Sequence, residues 1–140
     1  MFIFNIVYKL ILNEIISVFD IFLNIKVDSF KINYWIFRNK NNLLPIYNFF
    51  IDEREKIYNK YLYLDSKDQF FNITNNEIDW NLKDKNQKAE FESKLNELFT
   101  MEFEIEPFLI DLNILMNSDD IRLNMNQIIL IKHFLNENNI

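Results

Sequence analysis

Not one of the 140 residues is glycine. Glycine is the residue that enters positive φ without steric cost and lets a backbone approach a ligand closely. Phosphate-cradling loops, dinucleotide fingerprints and nucleophile elbows need it at fixed positions. Those three chemistries are therefore excluded from the outset. Left-handed turn positions must fall to Asn, which tolerates them better than most residues. The clearest such place is Asn75-Asn76, flanked by the β-rich runs Gln69 to Thr74 and Glu77 to Leu82. A two-residue hairpin turn fits that pattern. Counting back from it pairs Ile73 with Ile78 and Phe71 with Trp80 on one face. Asn72 then meets Asp79, and Thr74 meets Glu77, on the other. Apolar residues face apolar ones in this register, as a half-buried hairpin requires.

Leu43 to Leu64, LLPIYNFFIDEREKIYNKYLYL, reads as a long central helix. Leu43, Tyr47, Phe50, Ile57, Tyr61 and Leu64 recur at helical steps, with Ile46, Phe49 and Tyr58 widening the stripe. Asp52, Glu53, Glu55, Lys56, Asn59 and Lys60 fall mostly on the wet side. Pro45 suits a first-turn position, where its missing N–H has no intrahelical partner.

Before this helix, Phe2 to Leu12 reads as a buried strand. Asn13 is then expected to cap a helix over Glu14–Asn24 with Ile15, Val18, Phe19 and Phe22 inward. Asp28 or Ser29 caps a second, short helix over Phe30–Lys40, with Phe30, Tyr34 and Phe37 along one side. Asn39 to Asn42 is expected to be a polar turn. After the hairpin, Asp84 to Phe99 returns to helical spacing through Phe91, Leu95, Leu98 and Phe99. Met101 to Glu106 alternates strictly, with Met101, Phe103 and Ile105 inward, and Pro107 stops it. Asn124 and Gln127 form a capping pair for a last helix to about Asn136. The sum is one α+β domain over residues 1–140, a helical layer on a small, mostly antiparallel sheet with a β-hairpin. The 15 Phe, 6 Tyr and 2 Trp supply ample core.

Cysteine is also absent, which removes disulfides, thiolate metal sites and a Cys nucleophile. The net charge of −6 argues against direct nucleic-acid binding, which needs cations to displace counterions. That charge is uneven. Residues 1–60 carry eight Lys/Arg against six Asp/Glu, and residues 61–140 carry seven against fifteen. The greasy start is broken by Lys9, Glu14 and Asp20, so no uncharged run approaches the ~18 residues of a membrane span. A signal peptide's early basic residue and small-residue cleavage site are missing too. A soluble, cytosolic protein without membrane association is expected.

The most distinctive surface is acidic: Glu90, Glu97, Glu102, Glu104, Glu106 and Asp111, with Glu92 beside them. Such a patch suits a basic protein partner or imitates nucleic-acid phosphates. As an ordinary solvated strand face it would discourage edge pairing instead. Asp52, Glu53 and Glu55 alternate with Arg54 and Lys56 as a wet helix face would. Asp65 and Asp68 lack the spacing of a calcium loop. His133 is the only His and assembles no multi-His metal site or triad. Asn72-Ile73-Thr74 fits a glycosylation sequon, but only secretion would give it meaning. Trp35 and Trp80 are core or interface anchors. No catalytic residue, cofactor or metal site is expected.

Taken in order, these elements resemble a family of small phage and prophage proteins of low-GC bacteria without an assigned activity. The likeness rests on a short strand, a capped helix, a second helix, a long helix with an acidic/basic run like DEREKIYNKY at Asp52–Tyr61, a variable hairpin, FESKLNELFTMEFEIEP at Phe91 to Pro107, and a closing capped helix. It covers roughly Lys9 to Glu137. The Gly-free hairpin and the extra residues before Lys9 depart from the pattern. The resemblance brings no catalytic residues. It implies an accessory protein working by binding a host or phage protein, such as an inhibitor of a host defence or nucleic-acid enzyme of the anti-CRISPR kind. A virion or tail-assembly component, or a small subunit of a large assembly from an A+T-rich genome, are the alternatives.

Overall fold

The computed structural model describes residues 6–136. The class is α+β, with one long helix and small antiparallel sheets that include a hairpin. In chain order the elements are β1 (Tyr8–Ile11), α1 (Leu12–Asn24), α2 (Phe30–Tyr61), β2 (Phe71–Thr74), β3 (Glu77–Trp80) and α3 (Lys88–Phe99), the last led in by a 3-10 turn. Then come β4 (Glu102–Ile105), β5 (Ile110–Asp111), α4 (Leu112–Met116), α5 (Met125–Leu130), a second 3-10 turn and β6 (Leu135–Asn136). β1 pairs antiparallel with β4, β2 antiparallel with β3, and β5 parallel with β6. No helix among the described residues is long and apolar enough to cross a membrane. The described residues form two compact units, one of residues 6–47 together with 102–136, the other Asn48–Met101.

In the first unit, α1 buries Ile15, Val18, Phe19 and Phe22, the face expected from their spacing. Against them lie Ile32, Trp35, Ile36 and Leu43 of α2, Ile105 of β4, and Leu115, Ile131 and Phe134. Phe22 meets Trp35 and Phe134 edge-on at 5.0 and 5.3 Å between centroids. The Trp35 Nε1–H donates to the Phe134 carbonyl at 3.0 Å. Burying each such ring contributes about 2–3 kcal/mol.

Five local expectations are corrected in this unit. The strand expected over Phe2 to Leu12 is only Tyr8–Ile11 within the described residues; Phe2 to Asn5 lie outside them. α1 starts at Leu12, so Asn13 is not its cap. Ile11 holds the N-cap position without a side-chain bond because it is also the last β1 residue in register with β4, opposite Glu102. The polar turn at Asn39–Asn42 is instead the interior of α2, which begins at Phe30 with the Ser29 Oγ accepting from the Ile32 N–H (3.3 Å). Asn39 is fully buried and hydrogen-bonded, and Pro45 stands inside the helix rather than in a first turn. The last helix stops at Leu130. Its capping box is present, Asn124 and Gln127 exchanging bonds of 2.9 Å, but the chain then passes through Phe134 into β6.

In the second unit, Tyr61, Leu62 and Phe91 are buried among Ile57, Tyr58, Phe70, Trp80, Leu82 and Leu95. Trp80 meets Phe91 at 4.9 Å and Tyr58 at 5.6 Å. The hairpin has the expected register at all four pairs, and Asn75 and Asn76 hold φ of 52° and 65°. Positive φ at both central residues is the turn that matches strand twist. The Phe71–Trp80 pair lies toward the cluster, whereas Ile73 and Ile78 near the tip are exposed.

Candidate functional site

The feature with the most chemistry lies along α2 in the first unit. β4 ends at Ile105, and after Glu106 and Pro107 the chain runs beside α2 through Phe108 and Leu109 to β5. Asn39 fixes it there. Its Nδ2–H₂ donates to the Phe108 carbonyl (2.9 Å) and to the Trp35 carbonyl (3.0 Å), and its Oδ1 accepts from the Phe108 N–H (2.9 Å). The Phe108 ring is then clasped from above. It meets Tyr34 edge-on at 5.6 Å, and the Arg38 guanidinium carbon stands 4.5 Å from its centroid. Arg38 Nη1 also donates to the Tyr34 hydroxyl at 3.0 Å.

This clasp separates two hollows between α2 and the Glu104–Asp111 segment. One, of about 540 Å³, is lined by Arg38, Asn42, Ile46 and Glu104 through Leu109. The other, of about 330 Å³, is lined by Lys31, Tyr34, Trp35, Ile114 and Phe108 through Asp111. The larger has carboxylates on its strand side and a guanidinium on its helix side. No Ser, Cys or His side chain lines either. The arrangement suits the holding of a charged, partly apolar segment.

The expected acidic residues divide between the units. Glu102 and Glu104 project from the outward face of β4, opposite Ile11 and Lys9 in the register, and Glu106 follows two residues on. Glu104 and Glu106 both line the larger hollow. Asp111 is occupied locally, its Oδ1 accepting from the Asn113 N–H as the N-cap of α4 (2.9 Å). Glu90 and Glu97 belong to the second unit, where Glu90 accepts from the Tyr61 hydroxyl (2.9 Å) and Glu97 pairs with Lys94 (3.5 Å).

The other polar candidates are structural. Glu53 pairs with Lys56 at 3.0 Å. Asp65 accepts from the Lys67 and Gln69 N–H groups and from Asn81, and the Lys67 bond in particular holds its carboxyl below the usual carboxylate range. Asp68 takes positive φ in the same turn. Among the described residues no group of three or more His, Asp or Glu is placed to hold a metal ion. His133 lies against Tyr8, 4.2 Å between centroids; partial burial and then Lys132 lower its pKa, against a small opposing pull from Glu14. Trp35 and Trp80 both serve the cores.

Two features escaped sequence reasoning. One is Asn39 as a buried clamp, since its partner is 69 residues away in sequence. The other is that Phe30, Tyr34 and Phe37 face solvent, while Ile32, Trp35 and Ile36 point inward. The cations Lys31, Arg38 and Lys40, without a single carboxylate between Ser29 and Ile51, were the available signal for that outward face.

No family model, no curated protein and no solved structure matches this chain.

Proposed function

We propose that this protein is non-catalytic and works by binding another protein, with the acidic rim of the α2 groove as its contact. The observation that carries this reading is the placement of Glu104 and Glu106 together on the rim of the larger hollow, beside Ile46, Pro107 and Leu109. Two carboxylates stand on the strand side, the Arg38 guanidinium on the helix side, and Ile46, Pro107 and Leu109 between them. They suit a partner segment that offers Lys or Arg toward β4 and a short aliphatic side chain beside it. Charge complementarity of that kind steers encounter and sets register more than it adds affinity. In the setting implied by the likeness to small phage proteins, the partner is a host defence or nucleic-acid enzyme whose basic surface becomes occupied.

The test is affinity purification of the tagged protein from phage-infected cells, in parallel with the Glu104→Lys/Glu106→Lys variant. Both glutamates are exposed, so the variant is expected to fold, and circular dichroism checks that. One host enzyme recovered with the wild type and lost with the variant is the expected result. Equal recovery with both proteins overturns the acidic rim as the contact. Recovery of virion proteins instead overturns inhibition in favour of assembly.

A further inference from the structure

The outward side of α2 is a second surface, which shares only Arg38, on its edge, with the hollow that carries Glu104 and Glu106. Phe30, Tyr34, Phe37, Asn41 and Leu44 follow one another at steps of four, three, four and three residues. At 100° per residue they form a stripe about 180° around the helix from the buried Ile32, Trp35, Asn39 and Leu43. Four of the five are large and apolar, and all four are solvent-exposed: Phe30 by 92%, Phe37 by 55%, Tyr34 by 50% and Leu44 by 42%. This is the spacing of a helix–helix seam, and a single polar Asn within such a seam is a known device for fixing register.

The charges beside the seam say what covers it. Lys31 and Arg38 lie on the flank toward the Glu104–Asp111 segment and its carboxylates, Lys40 lies on the other, and α2 itself carries no Asp or Glu between Ser29 and Ile51. In a chain of net charge −6 this face is locally cationic. A second copy packing here would set these cations against their own kind, which is unfavourable. An anionic membrane would meet the cations, but it offers no register for the four- and three-residue steps of the seam or for Asn41 within it. An acidic helix from another protein satisfies both seam and flanks. We infer that the Phe30–Leu44 face of α2 docks an acidic amphipathic helix of a partner protein.

The probe is a synthetic helix of about four turns with Leu at the seam positions and Glu beside them, titrated calorimetrically into the full chain. The control is the same peptide with Lys in place of Glu. Binding of the Glu peptide alone, weakened about tenfold or more by Phe30→Ser/Phe37→Ser and weakened by added salt, is the expected result. Retention of that binding by Glu104→Lys/Glu106→Lys separates this face from the acidic rim. Equal binding of the Lys peptide, or no binding of the Glu peptide, overturns the inference. So does self-association that Phe30→Ser/Phe37→Ser abolishes, which assigns the face to a second copy. Binding to phosphatidylcholine–phosphatidylglycerol vesicles in place of the peptide assigns it to a membrane surface.

Discussion

The side-chain amide of Asn39 pairs with the backbone of Phe108 through two hydrogen bonds of 2.9 Å, as a neighbouring strand would. It thereby satisfies both backbone groups of a residue that just precedes the short strand β5. Replacement by Leu, which is similar in size, leaves the Phe108 N–H and carbonyl without these partners. A buried unmet group costs about 1–3 kcal/mol, so Asn39→Leu is expected to lower stability by about 2–4 kcal/mol in urea denaturation. A loss below about 1 kcal/mol would show that water replaces the clamp.

The contrast between Asn39 and Asn75 explains what the sequence could and could not convey. Asn75 and Asn76 act locally. With no glycine available, positive φ between two β-rich runs had one solution, and the four-pair register followed from counting. Asn39 sits in a run of similar polar residues, Asn39 to Asn42, that carries the same local signature of a turn. Its true role depends on Phe108, and no local pattern contains that information. The end of the last helix is of the same kind, because Trp35 holds the Phe134 carbonyl from 99 residues away. Alternation gave β4 over Glu102–Ile105 and its outward glutamates, although Met101, expected inward, is exposed and outside the strand. It could not reveal that Asp111 is a helix cap. Nor could it place Glu90 and Glu97 in a different unit from Glu104.

The hairpin turn is open to improvement. Asn76 at φ 65° occupies a position where glycine has no steric penalty, and Asn-Gly is the preferred pair for this turn. Asn76→Gly is therefore expected to stabilise the hairpin slightly. Asn76→Val, β-branched at positive φ, is expected to destabilise by about 1–2 kcal/mol. Hydrogen exchange of the β2–β3 ladder amides reads both changes; a Val variant as protected as the wild type would contradict the turn geometry.

Asp65 gives the same region an acid-sensitive element. Its folded-state pKa is depressed, chiefly by the Lys67 N–H, so the stability it contributes is present above the unfolded value. That contribution is lost as pH falls below about 4 and through the lower folded value. Asp65→Asn is expected to flatten the acid limb of the stability–pH curve. An unchanged limb would show that the turn holds without the carboxylate.

His133 behaves alike in sign but in a higher window. Partial burial against Tyr8, then Lys132, lower its pKa, so the fold favours the neutral ring. The associated stability is whole above about pH 6.5 and declines as pH falls through the lower folded value. The imidazole resonances are expected to titrate with a midpoint below 6.5. His133→Phe is expected to reduce the loss of stability between neutral pH and pH 5. A midpoint at or above 6.5 would mean that the attraction of Glu14 outweighs burial.

Pro45 lies in the interior of α2, not at its start. It has no N–H to offer the Asn41 carbonyl, and its ring crowds the preceding turn. It is exposed, so replacement by Ala removes little packing. In an exposed helix interior Pro is about 3 kcal/mol less favourable than Ala. The greater freedom of the unfolded Ala chain offsets about 0.4–1 kcal/mol of that gain. Pro45→Ala is therefore expected to stabilise by about 1–3 kcal/mol and to create a slowly exchanging amide at position 45. If stability fell instead, Pro45 would be part of how Ile46 and Tyr47 pack against the Leu43 side of the core.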